Sequence, residues 1–71
     1  MMDNMKALAE QYAHEADNLD GMIKACEQRK RFAAARADPA ESKRLEQLIE
    51  LHQQQRDDLL AHAAWLRHYY N

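Results

Sequence analysis

Two acid–histidine pairs stand four residues apart, Glu10 with His14 and Asp58 with His62, a spacing that puts both members of a pair on one face of a helix. Such pairs can ligate a metal ion or share a proton. The heptad frame developed below points Glu10 and His14 outward and His62 toward a helix seam, so one copy cannot converge all four on a single ion. The Glu-x-x-His pair of di-iron helix bundles is missing. The expectation is no metal and no cofactor, with solvated carboxylates and partly buried, hydrogen-bonded histidines. Cys26 is the one cysteine, which rules out an internal disulfide, and at a seam position it reads as a small buried hydrophobe. Ser42 is the one serine and has no evident base beside it, and a single glycine offers no phosphate-cradling loop. These residues do not point to an enzyme.

Cations make the other candidate. Lys24, Arg29, Lys30, Arg31 and Arg36 precede the middle of the chain, and Lys43 and Arg44 follow it. Several cations on a short arc are what phosphate binding needs, so Arg29, Lys30, Arg31, Arg36, Lys43 and Arg44 define an alternative reading as a nucleic-acid-binding accessory protein. No helix-turn-helix, zinc-finger or ribbon pattern accompanies them. Cations near a helix C-terminus also answer the helix dipole, and Glu27 with Arg31 makes an ordinary helix-surface pair.

The elements that position these groups follow from composition. Seventy-one residues bound one domain, 1–71, and a net charge of -2 gives no global pull toward nucleic acid or anionic lipid. No apolar run approaches the roughly 20 residues of a membrane span, and the opening segment MMDNMKALAE has no continuous apolar stretch of the signal-peptide kind, so a cytoplasmic protein with no membrane partner is expected. Val and Thr are missing, and Ile23 and Ile49 are the only β-branched residues, which predicts an all-α chain. The one strong break is Arg36-Ala37-Asp38-Pro39-Ala40-Glu41, where Asp can cap a helix, Pro suits its first position and Glu completes a capping box. Two helices are predicted, about 4–36 and 39–70, the first capped by Asp3 or Asn4. Each is about 48 Å long, and the short connection makes them antiparallel. Gly21 is the soft point, costing the first helix about 1 kcal/mol relative to Ala.

With Met5 as heptad position a, the first helix carries Met5, Tyr12, Leu19, Cys26 and Ala33 at a, Leu8 and Met22 at d, and Ala9, Ala16 and Ile23 at e. The second, starting from Leu45, has Leu45, Leu59 and Leu66 at a, Leu48 and Tyr69 at d, and Ile49, Ala63 and Tyr70 at e. The expected core of the hairpin is Leu8, Tyr12, Leu19, Ile23, Cys26, Leu48, Ile49, Leu59 and Leu66. Residue numbers of facing pairs sum to about 75, which sets Cys26 against Ile49, Ile23 against His52 and Leu19 against Arg56. His52, Gln55, Arg56 and His62 interrupt the second stripe and read as a register device.

Phe32, Leu51, Leu60, Trp65 and Tyr69 are large, apolar and too widely spread for two helices to cover. Chains of this size rarely bury enough apolar surface alone, and with no disulfide or metal the remaining staple is self-association. The expectation is a homodimer, two coiled-coil-like hairpins forming a four-helix bundle, with those five residues at the interface. The segment 24–44 holds seven cations against three carboxylates, while Asp3, Glu10, Glu15, Asp17 and Asp20 crowd the other end of the first helix. An antiparallel dimer would set basic tips beside acidic ends, and a docked protein is a further possible partner.

Two resemblances remain. A small hairpin with acidic residues on its second helix resembles in outline the sporulation-type aspartyl-phosphate phosphatases, but their Ser-Gln-x-Leu-Asp motif is missing, the nearest segment being Gln54-Gln55-Arg56-Asp57-Asp58. The segments Leu8-Ala9-Glu10-Gln11-Tyr12, Leu45-Glu46-Gln47-Leu48-Ile49 and Ala63-Ala64-Trp65-Leu66-Arg67-His68-Tyr69-Tyr70, around a charged central turn, are similar to short uncharacterised helical-hairpin proteins of Firmicutes phages and conjugative elements. That resemblance spans most of the chain. It implies an accessory protein of a mobile element, a non-enzymatic interaction or regulatory module, and carries over no activity.

Overall fold

The computed structural model describes the backbone of residues 2–70 and the side chains of residues 4–69. Helix α1 spans Met2–Ala35 and helix α2 spans Pro39–Tyr70, and they pack side by side as an antiparallel hairpin. α1 starts earlier than the caps at Asp3 or Asn4 predict. Asn4 therefore lies inside the first turn, where its side chain cannot act as an N-cap, and the Asp3 side chain falls outside the described residues, as do those of Met1, Met2 and Tyr70.

The connection is three residues long, and each of its backbone N–H groups donates back into α1, that of Arg36 to the Phe32 carbonyl at 3.0 Å. Ala37 adopts a left-handed backbone with φ 54°. Its N–H donates to the Ala34 carbonyl at 3.1 Å, and the Asp38 N–H donates to the Ala33 carbonyl at 2.9 Å. This is the two-bond closure of a Schellman motif, with alanine at the position that glycine usually takes. Asp38 then opens α2. Its carboxylate accepts the Glu41 N–H at 3.2 Å and its carbonyl accepts the Ser42 N–H at 3.1 Å. Pro39, which has no N–H to lose, occupies the first helical position. The capping box expected here forms only by half. The Asp38 N–H is already spent on Ala33, so Glu41 has no donor to reach back to and turns instead to Arg44.

Along the seam, buried positions alternate by threes and fours. Ala9, Ala16, Ile23, Cys26 and Ala33 of α1 are buried against Leu45, Ile49, Ala63 and Leu66 of α2. Leu8, Tyr12, Leu19, Leu48 and Leu59 are half-buried, Leu48 against the cluster formed by Ile23, Cys26, Ala33, Leu45 and Ile49. The seam is thus centred on positions a and e of the heptad frame. Position d lies at its edge, so Met22, expected in the stripe, is exposed, as are Gln55 and His62. Only His52 and Arg56 of the four interrupting polar residues are half-buried.

Three cross-helix contacts hold the expected register to within one residue. Lys30 Nζ lies 3.8 Å from Glu46 Oε1, Arg56 Nη1 donates to Asp20 Oδ1 at 2.9 Å, and the rings of Tyr12 and His62 sit 6.1 Å apart. The described chain is a rod of 54 × 14 × 11 Å with a radius of gyration of 16.1 Å. A compact chain of this length would have a radius near 11 Å.

Ala37→Gly removes the Cβ from a left-handed position and should stabilise the hairpin by about 1 kcal/mol, read as a higher urea midpoint at fixed protein concentration with an unchanged slope. An unchanged or lower midpoint would show that Ala37 carries no strain.

Candidate interaction surface

Heptad geometry divides the outside of the rod into two broad faces. Positions d and g of each helix lie on one side of the seam, and position b on the other. Because α1 and α2 are antiparallel, the d and g residues of both helices share one face, and the b residues of both share the opposite one. The ion pairs agree with this division. Asp20 and Glu46, both at b, reach Arg56 and Lys30, both at e, so the two cross-helix salt bridges lie on the same broad face.

The other face is apolar. Phe32 is 58% exposed and Trp65 56%, and Met22, Leu51 and Tyr69 are also at least half exposed. All five occupy d or g. The Trp65 and Tyr69 rings stack with centroids 5.1 Å apart and planes at 22°, forming a stacked aromatic platform near the open end of the rod. A shallow groove lined by Tyr12, Gln55, Asp58, Leu59 and His62 runs beside the platform. Leu60, grouped with the others at the sequence level, occupies b and is exposed on the ion-paired face. It sits five residues before Trp65, which at about 100° per residue turns it well away from the aromatic platform.

The histidines are engaged locally. His62 Nδ1 lies 2.8 Å from the Asp58 carbonyl oxygen, an acceptor, so this ring nitrogen carries the proton and donates it. His52 Nδ1 lies 3.2 Å from Gln55 Oε1. Glu10 and His14 are both exposed, away from the seam. Among the described residues, no three His, Cys, Asp or Glu side chains cluster as a metal site would require. Cys26 is free and buried at the seam. His62, expected partly buried, is exposed because its d position lies beyond the reach of α1 except for the Tyr12 ring.

At the tip, the six cations of the nucleic-acid reading do not form one surface. Arg44 is held by Glu41 through Nε at 2.9 Å and Nη2 at 2.6 Å, and Lys30 faces Glu46. Arg29, Arg36 and Arg44 fall at d and g, whereas Arg31 and Lys43 fall at f, on the side of the seam that also bears b. The cations therefore divide between the two broad faces, and the shallow groove that Lys30 and Arg31 line also holds the Glu27 carboxylate. Among the described residues, no helix is long and apolar enough to cross a membrane.

No known protein family, no curated protein and no solved structure matches the chain. The functional reading therefore rests on the surface itself.

Donation by Arg44 holds the Glu41 carboxyl below its usual value of 4.5, against the opposing pull of desolvation and with smaller help from the positive charges of Arg44, Arg36 and Arg29. A carboxyl lowered by folding adds stability above its unfolded value, and that contribution disappears as pH falls through the folded value. Arg44→Met should raise the Glu41 midpoint toward the usual value in a carboxyl-carbon NMR titration and flatten the acid limb of the stability curve. A midpoint that stays put would show that the bidentate pair does not persist in solution.

Proposed function

We propose that the chain is a non-enzymatic interaction module that associates with a second copy of itself, two hairpins completing a homodimeric four-helix bundle. The observation that carries this reading is the apolar face, on which Met22, Phe32, Leu51, Trp65 and Tyr69 stand at least half exposed along one side of the rod.

Surface arithmetic supports it. The hairpin exposes 5552 Å², whereas a compact monomer of 8.3 kDa would expose about 4600 Å². The surplus arises because two helices lying side by side leave both broad faces open. A face of 54 × 14 Å offers roughly 750 Å² per copy, close to the roughly 800 Å² that each partner contributes to a standard stable interface. Covering one face with another hairpin is the packing solution of four-helix bundles.

The remaining elements of the reading are a cytoplasmic setting and a role as the accessory protein of a mobile element, the latter resting on the resemblance of its three sequence segments. Nucleic-acid binding through the basic tip is the weaker alternative. Two of its six cations already have carboxylate partners, and the others diverge.

Sedimentation equilibrium at low and high salt, with helicity followed over the same concentrations, tests the proposal. The expected outcome is a helical dimer whose affinity falls modestly with salt. A helical monomer at every concentration would overturn it. The alternative requires salt-sensitive retention on a phosphate matrix that is abolished when Arg29, Lys30 and Arg31 are replaced by Ala, and retention of that kind would favour the tip over the face.

A further inference from the structure

We infer that the two copies pack antiparallel through their d and g faces, about a two-fold axis that crosses the rod near its middle, at the level of Asn18 and Asp58. The inference rests on the reading that the chain self-associates, and it specifies the geometry of that association. Phe32 and Leu51 of one copy then lie against the partner's Trp65 and the partner's Tyr69, and the reverse holds by symmetry.

The spacing along the face leads to this arrangement. Near the tip, Met22, Phe32, Leu48 and Leu51 form one apolar cluster, and near the open end Leu8, Trp65 and Tyr69 form another. Between them the same face carries Glu15, Asn18, Gln55 and Asp58, all exposed and polar. From the register, the cluster centres stand about 18 residues apart along α1, or about 27 Å. Their midpoint falls near residue 17 or 18, which is also the middle of α1 within Met2–Ala35. A two-fold axis at that level superimposes tip cluster on end cluster and overlaps the rods along their full length. Apolar matching and maximal burial are satisfied by the same operator.

A parallel pair would also set like cluster on like cluster, and charge separates the two arrangements. Segment 24–44 carries seven cations and three carboxylates, and the rest of the chain carries three cations and nine carboxylates. Parallel packing would bring two cationic tips together, with Arg29 and Arg44 of each copy on the shared face. Antiparallel packing instead lays each tip along the partner's acidic end and brings Arg29 and Arg44 beside the stacked Trp65–Tyr69 platform, where a guanidinium is attracted to an aromatic face. The opposite face, laced by Asp20–Arg56 and Lys30–Glu46, has these cross-helix charges matched and, among the described residues, offers only Leu60 as a large apolar residue.

The test places one spin label at the tip, through Ala40→Cys in a Cys26→Ala background, and measures the label-to-label distance in a sample shown to be dimeric by sedimentation. The antiparallel arrangement is expected to give about 50 Å, twice the distance from tip to two-fold axis at 1.5 Å per residue. A distance near 25 Å or less would overturn it. In parallel, Phe32→Asp should weaken the dimer at least about 100-fold while Leu60→Asp changes it no more than about threefold, as expected for a large apolar residue covered by the interface and one outside it. Both residues are exposed in the hairpin, so neither change threatens its fold. The reverse pattern would overturn the choice of face. A wild-type chain that stays monomeric would instead overturn the self-association reading itself, and with it this inference.

Discussion

The register of the hairpin depends on Asp38, which serves the end of one helix and the start of the other. Its N–H closes α1 on the Ala33 carbonyl, and its carboxylate and carbonyl receive the Glu41 and Ser42 N–H groups in the first turn of α2. A three-residue connection satisfied in this way has no slack. Loop closure costs little, and any slippage of α2 along α1 would have to break the terminal hydrogen bonds of both helices together. The contacts far from the turn obey the register that Asp38 sets. Tyr12 still meets His62, 26 residues back from Asp38 on one strand of the hairpin and 24 forward on the other.

Two straight helices in fixed register can bury about two positions per heptad on each, and the buried residues here follow that limit. Four of the nine buried among the described residues are alanines, Ala9, Ala16, Ala33 and Ala63. Small side chains let the helices approach closely, but each contributes little apolar area, so the seam supplies less hydrophobic stabilisation than its length suggests. The larger apolar residues stand one position further round, at d and g, where a second helix of the same hairpin cannot reach them. The exposure of Phe32 and Trp65 and the thinness of the seam thus have one geometric cause.

Much of this organisation is legible in the sequence because local chemistry dictates it. The scarcity of β-branched residues and the Asp38-Pro39-x-Glu41 segment are enough for two helices and a tight reversal, and the reversal in turn sets the register that Asp20–Arg56 and Lys30–Glu46 display. What stays hidden depends on competition between partners. Glu41 reads as half of a capping box, and only the closure of α1 shows that its intended donor is taken. Ala37 carries no sign of a left-handed backbone, since glycine is the usual marker of that conformation. With three apolar positions in each heptad, the sequence likewise cannot say which two form the seam, and so Met22 reads as part of the apolar stripe when it lies on the outside. Leu60 is grouped with Trp65 by size alone, although the helical phase between them turns the two apart.

The difference between the broad faces bears on how association would end. A hairpin apolar on both faces would offer each newly bound copy a fresh sticky surface and would stack without limit. Here the face bearing Asp20, Arg56, Lys30 and Glu46 has its charges paired across the helices, and its one large apolar residue, Leu60, is isolated as single surface leucines commonly are. Association through the d and g face would bury the extended apolar surface that Met22, Phe32, Leu51, Trp65 and Tyr69 form and would leave ion-paired faces outward on both sides. A two-fold operator applied to such a face closes at two copies. The b positions of the heptad, which do nothing for the seam, are therefore the ones that would limit the assembly.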